Sequence, residues 1–205
     1  MKKLLIGCAI ALILSIGTPL NAEASTQTHT VVWGDTLWKI AVKYQVGVTE
    51  LINMNTQLKN PDLIYPGMKI YIPDQASGRA FELEVVRLVN VERAKYGLQP
   101  LSENWELSRV ARYKSNDMKD MGYFSHYSPI YGSPFDMIKN FGIRYTAAGE
   151  NIAMGQRSAS EVMNGWMNSS GHRRNILNAN FTQIGVGYAV NSNGTPYWTQ
   201  MFIRP

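Results

Sequence analysis

Residues 1–24 predict that the chain is exported, and this constrains what the rest of it can fold into. A basic pair, Lys2 and Lys3, precedes an apolar run over residues 4–16, and Ala22-Glu23-Ala24 closes the segment with small side chains. This layout is typical of a secretory signal, with cleavage expected after Ala24. Because the apolar run is shorter than the roughly 20 residues of a membrane span, we expect no stable span once the signal is removed.

Cysteine usage adds a second constraint. The only cysteine, Cys8, lies inside the predicted signal. The exported chain therefore has no disulfide and needs a hydrophobic core drawn from about 180 residues. The formal net charge of +5 suits an anionic bacterial wall. It is too weak and too scattered to indicate a nucleic-acid partner.

Residues 28–73 form one unit with the predicted order strand, helix, helix, strand. The β-branched run Thr30-Val31-Val32 indicates a strand, and Thr36 is a suitable cap for a helix with apolar residues at helical spacing. We expect Gly47 to end this helix and Thr49 to cap the second one. A Pro-Gly turn then leads into the closing strand.

The motifs of this unit resemble those of the LysM module: WGDTLWKIA from Trp33, NMN from Asn53 and NPDLIYPGMKIYIP from Asn60. The resemblance implies paired antiparallel strands with both helices on one side. It also implies binding of N-acetylglucosamine polymers, either peptidoglycan or chitin, and the export signal favours peptidoglycan. In the family, the loops after the first strand and before the second line a shallow groove. The implied glycan contacts are Gly34, Asp35, Thr36, Leu37, Asp62, Leu63 and Ile64.

Residues 74–79 are interpreted as a short linker to a second domain over residues 80–205. Apolar spacing and helix caps predict four helices, and an Asn-Gly turn joins two closing strands. The helices are predicted from residues 81, 104, 133 and 158, and the strands over residues 183–190 and 197–203. Helices segregated from an antiparallel sheet indicate an α+β domain.

The chain has three histidines, and two of them are candidates for chemistry. His29 belongs to the first strand and is interpreted as a surface residue. His126 stands in the run FSHYSP and His172 in SSGHRRNIL, and Glu150 lies between them in AGENI. The chain contains no H-E-x-x-H, G-x-S-x-G or phosphate-loop motif, so none of those reaction types is indicated.

These motifs resemble the bacterial form of the CAP superfamily over residues 83–202. The resemblance also rests on VER from Val91, NFTQIGVG from Asn180 and YWTQ from Tyr197. It implies an α-β-α sandwich with a groove where histidines and glutamates converge, and in several members that groove binds a divalent metal. His126 and Glu150 match the family's first histidine and its G-E-N glutamate.

The rest of the family's groove set is altered in this chain. Asn180 stands where a second histidine is expected, and Asn168 and Ser169 stand where a second glutamate is expected. His172 belongs to the bacterial pattern and is a candidate to take the missing place.

His126, Glu150 and His172 leave two chemical interpretations open. Two imidazoles and a carboxylate can hold zinc with one position left for water, or they can act as general acid and base. Two structural alternatives also stand. Glu150 can shape a loop by accepting backbone hydrogen bonds. His172 can face helix-terminal carbonyls just after a helix ends at Gly171.

Three functions remain open for the whole chain. The first is a non-catalytic wall-binding protein whose second domain binds a ligand or protein in the envelope or spore coat. The second is an envelope hydrolase that acts on peptide or glycan with the three groove residues. The third is a secreted effector that binds a lipid or protein. The incomplete groove set favours the first over the second, with a location in the cell wall or spore envelope.

Overall fold

The structure, a computed structural model, describes residues 27–74 and 76–205. The predicted signal over residues 1–24 lies outside the described residues. Within the described ranges, no helix is long and apolar enough to cross a membrane. In chain order the elements are β1 Thr28–Thr30, α1 Leu37–Tyr44, α2 Val48–Met54, β2 Lys69–Tyr71, α3 Ala76–Lys95, β3 Ser102–Glu103, α4 Trp105–Met121, α5 Pro134–Asn140, β4 Ala147–Met154, α6 Ala159–Asn168, α7 Ser170–Ile176, β5 Gln183–Val190 and β6 Pro196–Arg204.

The first unit has the predicted βααβ order. Strands β1 and β2 pair antiparallel, and helices α1 and α2 bury their apolar residues in one core around Ile40, Leu51 and Ile70. A buried amide ties helix to sheet: Asn55 Nδ2 donates to the carbonyl oxygens of Leu51 and Tyr71, each at 2.8 Å. Because every buried polar group of this amide has a partner, it fixes the position of β2 against α2.

The predicted boundaries inside this unit are wrong in three places. The first strand covers Thr28–Thr30 and ends before the valines that we expected it to contain. Helix α1 ends at Tyr44 because Gln45 adopts a left-handed conformation and its N–H donates to the carbonyls of the last turn. Gly47 is therefore the N-terminal cap of α2, and Thr49 lies inside that helix.

The second domain is built on a four-stranded sheet with the order β3-β5-β6-β4. Strands β5 and β6 form the predicted antiparallel hairpin, β4 pairs antiparallel with β6, and β3 pairs parallel with β5. Helices α3 and α6 cover one face around Trp166 and Trp198, and α4 and α5 cover the other around Leu107 and Met201. The predicted α+β sandwich is confirmed.

Two glycines of β5 allow α4 to lie directly on the sheet. A Cβ atom on Gly187 would stand 2.1 Å from the carbonyl carbon of Ala111, and one on Gly185 would stand 2.3 Å from that of Leu107. No side chain fits in these positions, because both neighbours are helix backbone. The G-V-G motif therefore sets the distance between helix and sheet.

Three further expectations about the second domain are corrected. Helix α3 begins at Ala76, so residues 76–79 of the interpreted linker are helical. The G-E-N motif lies in strand β4 and not in a loop. Gly171 is inside α7, a helix that the sequence analysis missed, and so it does not end a helix.

Candidate functional site

A cavity of about 680 Å³ lies beside β4, at the outer edge of the sheet. Strand β4, helix α6, the start of α7 and the loop after α4 enclose it. The carbonyl groups on this edge of β4 are already used: Trp166 Nε1 donates to Ile152 O at 3.2 Å, and Asn175 Nδ2 donates to Glu150 O at 3.1 Å. The lining is mainly apolar and consists of Phe124, Ser125, His126, Tyr127, Ile152, Ala153, Met154, Gln156, Val162, Gly165, Trp166, Ser169 and His172.

His126 and Glu150 form a direct pair at this cavity. His126 Nδ1 lies 2.7 Å from Glu150 Oε1, and the histidine side chain is 54% exposed while that of the glutamate is 1% exposed. Burial raises the pKa of the Glu150 carboxyl, and the hydrogen bond from His126 and the charge of Lys114 oppose this rise. The carboxylate is thus a buried anchor that orients an accessible imidazole.

Lys114 extends this pair into a buried network. Its ammonium group donates to Tyr123 Oη and to the carbonyl oxygen of His126, each at 3.0 Å. Tyr123 Oη in turn donates to the Asp117 carboxylate, which also accepts from Ser128 Oγ at 2.6 Å. Burial lowers the pKa of Lys114, and the nearby carboxylates oppose that effect. This lysine could not be anticipated from the sequence, because its position in α4 carries no motif of its own.

His172 lines the same cavity from the first turn of helix α7. Burial lowers its pKa, and the proximity of His126 adds to this effect. The structure thus brings both candidate histidines to one cavity, with Glu150 behind the first of them. The helix-end role that we considered for His172 does not apply, because the residue lies inside a helix.

The G-E-N motif has a structural part that sequence reasoning missed. Asn151 is fully buried; its Nδ2 donates to the carbonyl oxygen of His172 at 3.1 Å, and its Oδ1 accepts from Asn175 at 2.8 Å. A Cβ atom on Gly149 would stand 3.0 Å from the ring of Phe181. The motif therefore seats α7 on the sheet and so positions His172 at the cavity.

The described residues do not fit the zinc interpretation. Among them, no three His, Cys, Asp or Glu side chains are grouped so that they could hold a metal ion. Asn180, at the position of the family's second histidine, does not line the cavity. Ser169 does line it, but a hydroxyl is a poor substitute for the expected carboxylate as a zinc ligand.

A second, smaller cavity of about 290 Å³ lies in the first unit, between the loop after β1 and the loop before β2. Of the seven residues implied as glycan contacts, five line it, whereas Gly34 and Leu63 do not. Four lining residues were not anticipated, and one of them, Trp38, has 65% of its surface exposed. The complete lining is Asp35, Thr36, Leu37, Trp38, Val48, Ile52, Pro61, Asp62 and Ile64.

His29 is buried, which corrects its interpretation as a surface residue. Its Nε2 lies 2.8 Å from Asp35 Oδ2 and its Nδ1 lies 3.1 Å from Tyr44 Oη. The same Asp35 oxygen accepts from the backbone N–H of Val32 at 2.9 Å. The hydrogen bond from His29 is the main cause of the lowered pKa of Asp35. His29 therefore holds the loop that forms one wall of the smaller cavity.

The fold and the two cavities described above define a small βααβ module followed by an α-β-α sandwich, with two histidines lining a cavity at the edge of its sheet. Comparison with known proteins agrees. A model of the cysteine-rich secretory protein family, CAP, matches residues 86–202, and a LysM domain model matches residues 29–73. The chain belongs to the cysteine-rich secretory protein family and carries a LysM domain before its CAP domain. Together the two domains indicate a protein associated with the cell envelope.

Individual relatives match one domain or the other. An uncharacterised protein of Bacillus subtilis, YkwD, is 59% identical over 128 residues, which is 62% of this chain and 49% of YkwD. The spore coat assembly protein ExsA of Bacillus cereus is 60% identical over 48 residues, 23% of this chain and 8% of ExsA. An extracellular SCP-domain protein of Bacillus anthracis superposes with a TM-score of 0.58 at 34% identity, covering 68% of this chain and 47% of that one. The chain therefore spans about half of YkwD and of the SCP-domain protein, and a small part of ExsA.

Proposed function

We propose that the protein is secreted, binds peptidoglycan through its LysM domain and presents its CAP domain at the cell wall or spore coat as a binding module. The observation that carries the glycan part is the smaller cavity. His29 fixes the position of Asp35 in one wall of this cavity. Asp62 and Trp38 also line the cavity, and their side chains are exposed to a ligand. A pre-formed cleft with a few fixed polar groups and an exposed aromatic ring suits a sugar polymer.

Sedimentation with insoluble peptidoglycan tests this proposal. Residues 25–205 should pellet with the polymer, and free chitotetraose should compete. Asp62→Ala should lower the pelleted fraction, because the side chain is exposed and lines the cavity. Glu106→Ala, which removes an exposed acid at the start of α4, should have no effect. Wild-type protein that stays in the supernatant would contradict peptidoglycan binding.

For the CAP domain, the geometry of the 680 Å³ cavity supports ligand binding over catalysis. Its lining is mainly apolar, and in the described part of the chain no hydroxyl group is hydrogen-bonded to His126 as a nucleophile would be. The imidazole of His126, oriented by Glu150 in a mainly apolar cleft, can instead hold one polar group of a ligand. We infer a non-catalytic module that binds an envelope or spore-coat component.

One observation favours hydrolysis as a second candidate. The His126–Glu150 pair has the geometry of a base and its orienting carboxylate. Incubation with purified peptidoglycan, followed by chromatography of soluble fragments, separates the two functions. A binding module releases none, whereas a hydrolase releases fragments and loses that activity in His126→Ala.

The location can be tested separately. ExsA is named as a spore coat assembly protein, and its 48-residue similarity to this chain supports a location in the spore coat. Secretion predicts that the protein recovered outside the cell begins at Ser25 and that antibodies detect it in wall or spore-coat fractions. Protein that retains its first 24 residues in the membrane fraction would contradict it.

A further inference from the structure

A third cavity lies between the two domains and belongs to neither site described above. Its volume is about 910 Å³, within the range of sites for small ligands and short peptides. Glu50 of the LysM domain lies on one side, and Phe81, Glu82 and Tyr188 of the CAP domain lie on the other. An ion pair joins the domains at this cavity, with Arg109 Nη1 3.6 Å from Glu50 Oε1.

Acidic side chains outnumber basic ones in this lining. Asp74 and Asp120 lie near the exposed edge, Glu50, Glu82 and Asp117 lie deeper, and the basic groups are Arg109 and Arg112. Carboxylates in a cleft of low solvent exposure concentrate a negative potential, which attracts a cationic ligand. Arg109 Nε is a buried donor without a hydrogen bond, and it adds a place for a carboxylate on the same ligand.

Buried carboxylate oxygens without hydrogen bonds occur on three of these side chains. They are Glu50 Oε2, Glu82 Oε2 and Asp117 Oδ1. The side chain of Glu82 is only 1% exposed; its Oε1 lies 3.3 Å from Arg112 Nε, whereas its Oε2 lies 3.6 Å from Arg79 Nη1, beyond hydrogen-bonding distance. A buried acceptor without a donor is costly, and such groups are few in native proteins. An ammonium group has three N–H donors and can satisfy such acceptors.

Apolar surface completes the site. The rings of Phe81 and Tyr188 stack with centroids 5.0 Å apart, and both line the cavity beside Glu82. Such rings suit the methylene chain of an amine-bearing side chain, whose cation would reach the carboxylates. The chemistry recognised is therefore a primary ammonium group on an aliphatic stem, with a carboxylate nearby.

We propose that this interdomain cavity binds a short peptide that carries a free side-chain amine and a carboxylate, the chemistry of the peptide stems of peptidoglycan. The inference rests on the proposed function, because the LysM domain would bring the glycan that bears such stems. Helix α2 separates the two sites: Val48 and Ile52 line the glycan cavity, and Glu50, on the opposite face, lines the interdomain cavity. A helix is about 10–12 Å wide, a distance that three or four extended peptide residues cover.

Calorimetric titration of residues 25–205 tests the inference with three probes. The first is N-acetyl-L-alanyl-γ-D-glutamyl-L-lysine, the second is the same peptide with its side-chain amine acetylated, and the third is chitotetraose. The free-amine peptide should bind at least about tenfold more tightly than the acetylated one. Glu82→Gln should weaken the free-amine peptide by about tenfold and leave chitotetraose unchanged. Glu106→Gln should change neither.

The outcomes separate this inference from the proposed function. Chitotetraose binding with equal or absent binding of the two peptides would overturn the peptide site and leave the glycan site standing. Peptide binding that depends on the amine, without chitotetraose binding, would support the cavity and contradict the proposed function. The acetylation comparison uses the wild-type protein, so it decides the matter even where Glu82→Gln fails to fold. In that case Asp120→Asn, which removes an exposed carboxylate at the cavity edge, provides the second variant.

Discussion

His126 Nδ1 lies 2.7 Å from Glu150 Oε1, and the two side chains differ sharply in exposure, because the histidine opens to the cavity while the glutamate is buried beneath it. Behind the glutamate, Lys114 is fully buried and is held by Tyr123 and the backbone of His126. The His126–Glu150 pair is thus the exposed end of a network of polar and charged side chains that continues into the protein interior. Its two members should therefore make very different contributions to stability.

Glu150→Gln should lower the free energy of unfolding by about 2–4 kcal/mol, because it removes a buried negative charge that compensates Lys114. His126→Ala should cost less than about 1 kcal/mol, since that side chain is half exposed. Urea unfolding of both variants measures the difference. Equal losses would show that the imidazole, and not the lysine, is the partner on which Glu150 depends for stability.

The contact between β5 and α4 gives a second prediction. Gly187→Ala should cost more than about 4 kcal/mol or prevent folding, because the new methyl group would overlap the helix backbone at Ala111. Gly165→Ala is the matched control, because it lies in helix α6 and its added Cβ would meet nothing within 4 Å apart from its chain neighbours and the nearby backbone of its own helix. There alanine should stabilise the protein by about 0.5–1 kcal/mol. Thermal unfolding of both variants compares them, and a mild effect of Gly187→Ala would mean that α4 can move away from the sheet.

The features that could be predicted from the sequence are those that depend on neighbouring residues, such as helix caps and a hairpin turn. The caps at Thr36, Asn104 and Ser158 each accept the expected backbone hydrogen bond, and the closing hairpin follows from alternation and a turn. Sequence reasoning missed β4, because Ala147-Ala148-Gly149 has no β-branched residue and becomes a strand only by pairing with β6.

Polar contacts between residues far apart in the sequence could not be predicted either. Arg93 was quoted as part of a motif, yet its role depends on carbonyl groups more than 80 residues away: it donates to Ile176 O at 2.7 Å and to Asn178 O at 2.9 Å. Lys114 and the interdomain cavity carry no pattern at all, because the groups that define them meet only in the folded chain. Convergence of His126 and His172 on one cavity likewise required the position of α7.

An exposed indole beside the smaller cavity provides a third prediction. Trp38→Ala should weaken chitotetraose binding by about threefold to tenfold, because the ring can stack on a sugar face. It should leave thermal stability nearly unchanged, since the side chain is largely exposed. Trp33→Ala is the control, because Trp33 is 92% exposed and does not line the cavity. Calorimetry measures the chitotetraose affinity of both variants. Equal losses of affinity in the two variants would indicate that the exposed surface, and not the cavity, binds the glycan.

Buried Glu82 predicts a pH-dependent stability. Burial raises the pKa of its carboxyl from 4.5 to about 7, against the opposing charges of Arg112 and Arg79. A folded state with a raised carboxyl pKa holds its proton more tightly than the unfolded state does. The stabilising contribution of the protonated form is therefore fully present below pH 4.5 and is lost as the pH rises through about 7.

Glu82→Gln removes this titration and so isolates it. We expect the free energy of unfolding of the wild type, minus that of the variant, to fall by roughly 2–3 kcal/mol as the pH rises from about 4.5 to about 8. Urea unfolding at about pH 4.5 and about pH 8 measures the change, with Glu106→Gln as the control, because an exposed carboxyl should leave the difference flat. A flat difference for Glu82→Gln as well would mean that Arg112 and Arg79 keep the carboxylate ionised throughout. In that case the interdomain cavity would hold a fixed negative charge at every pH of the experiment.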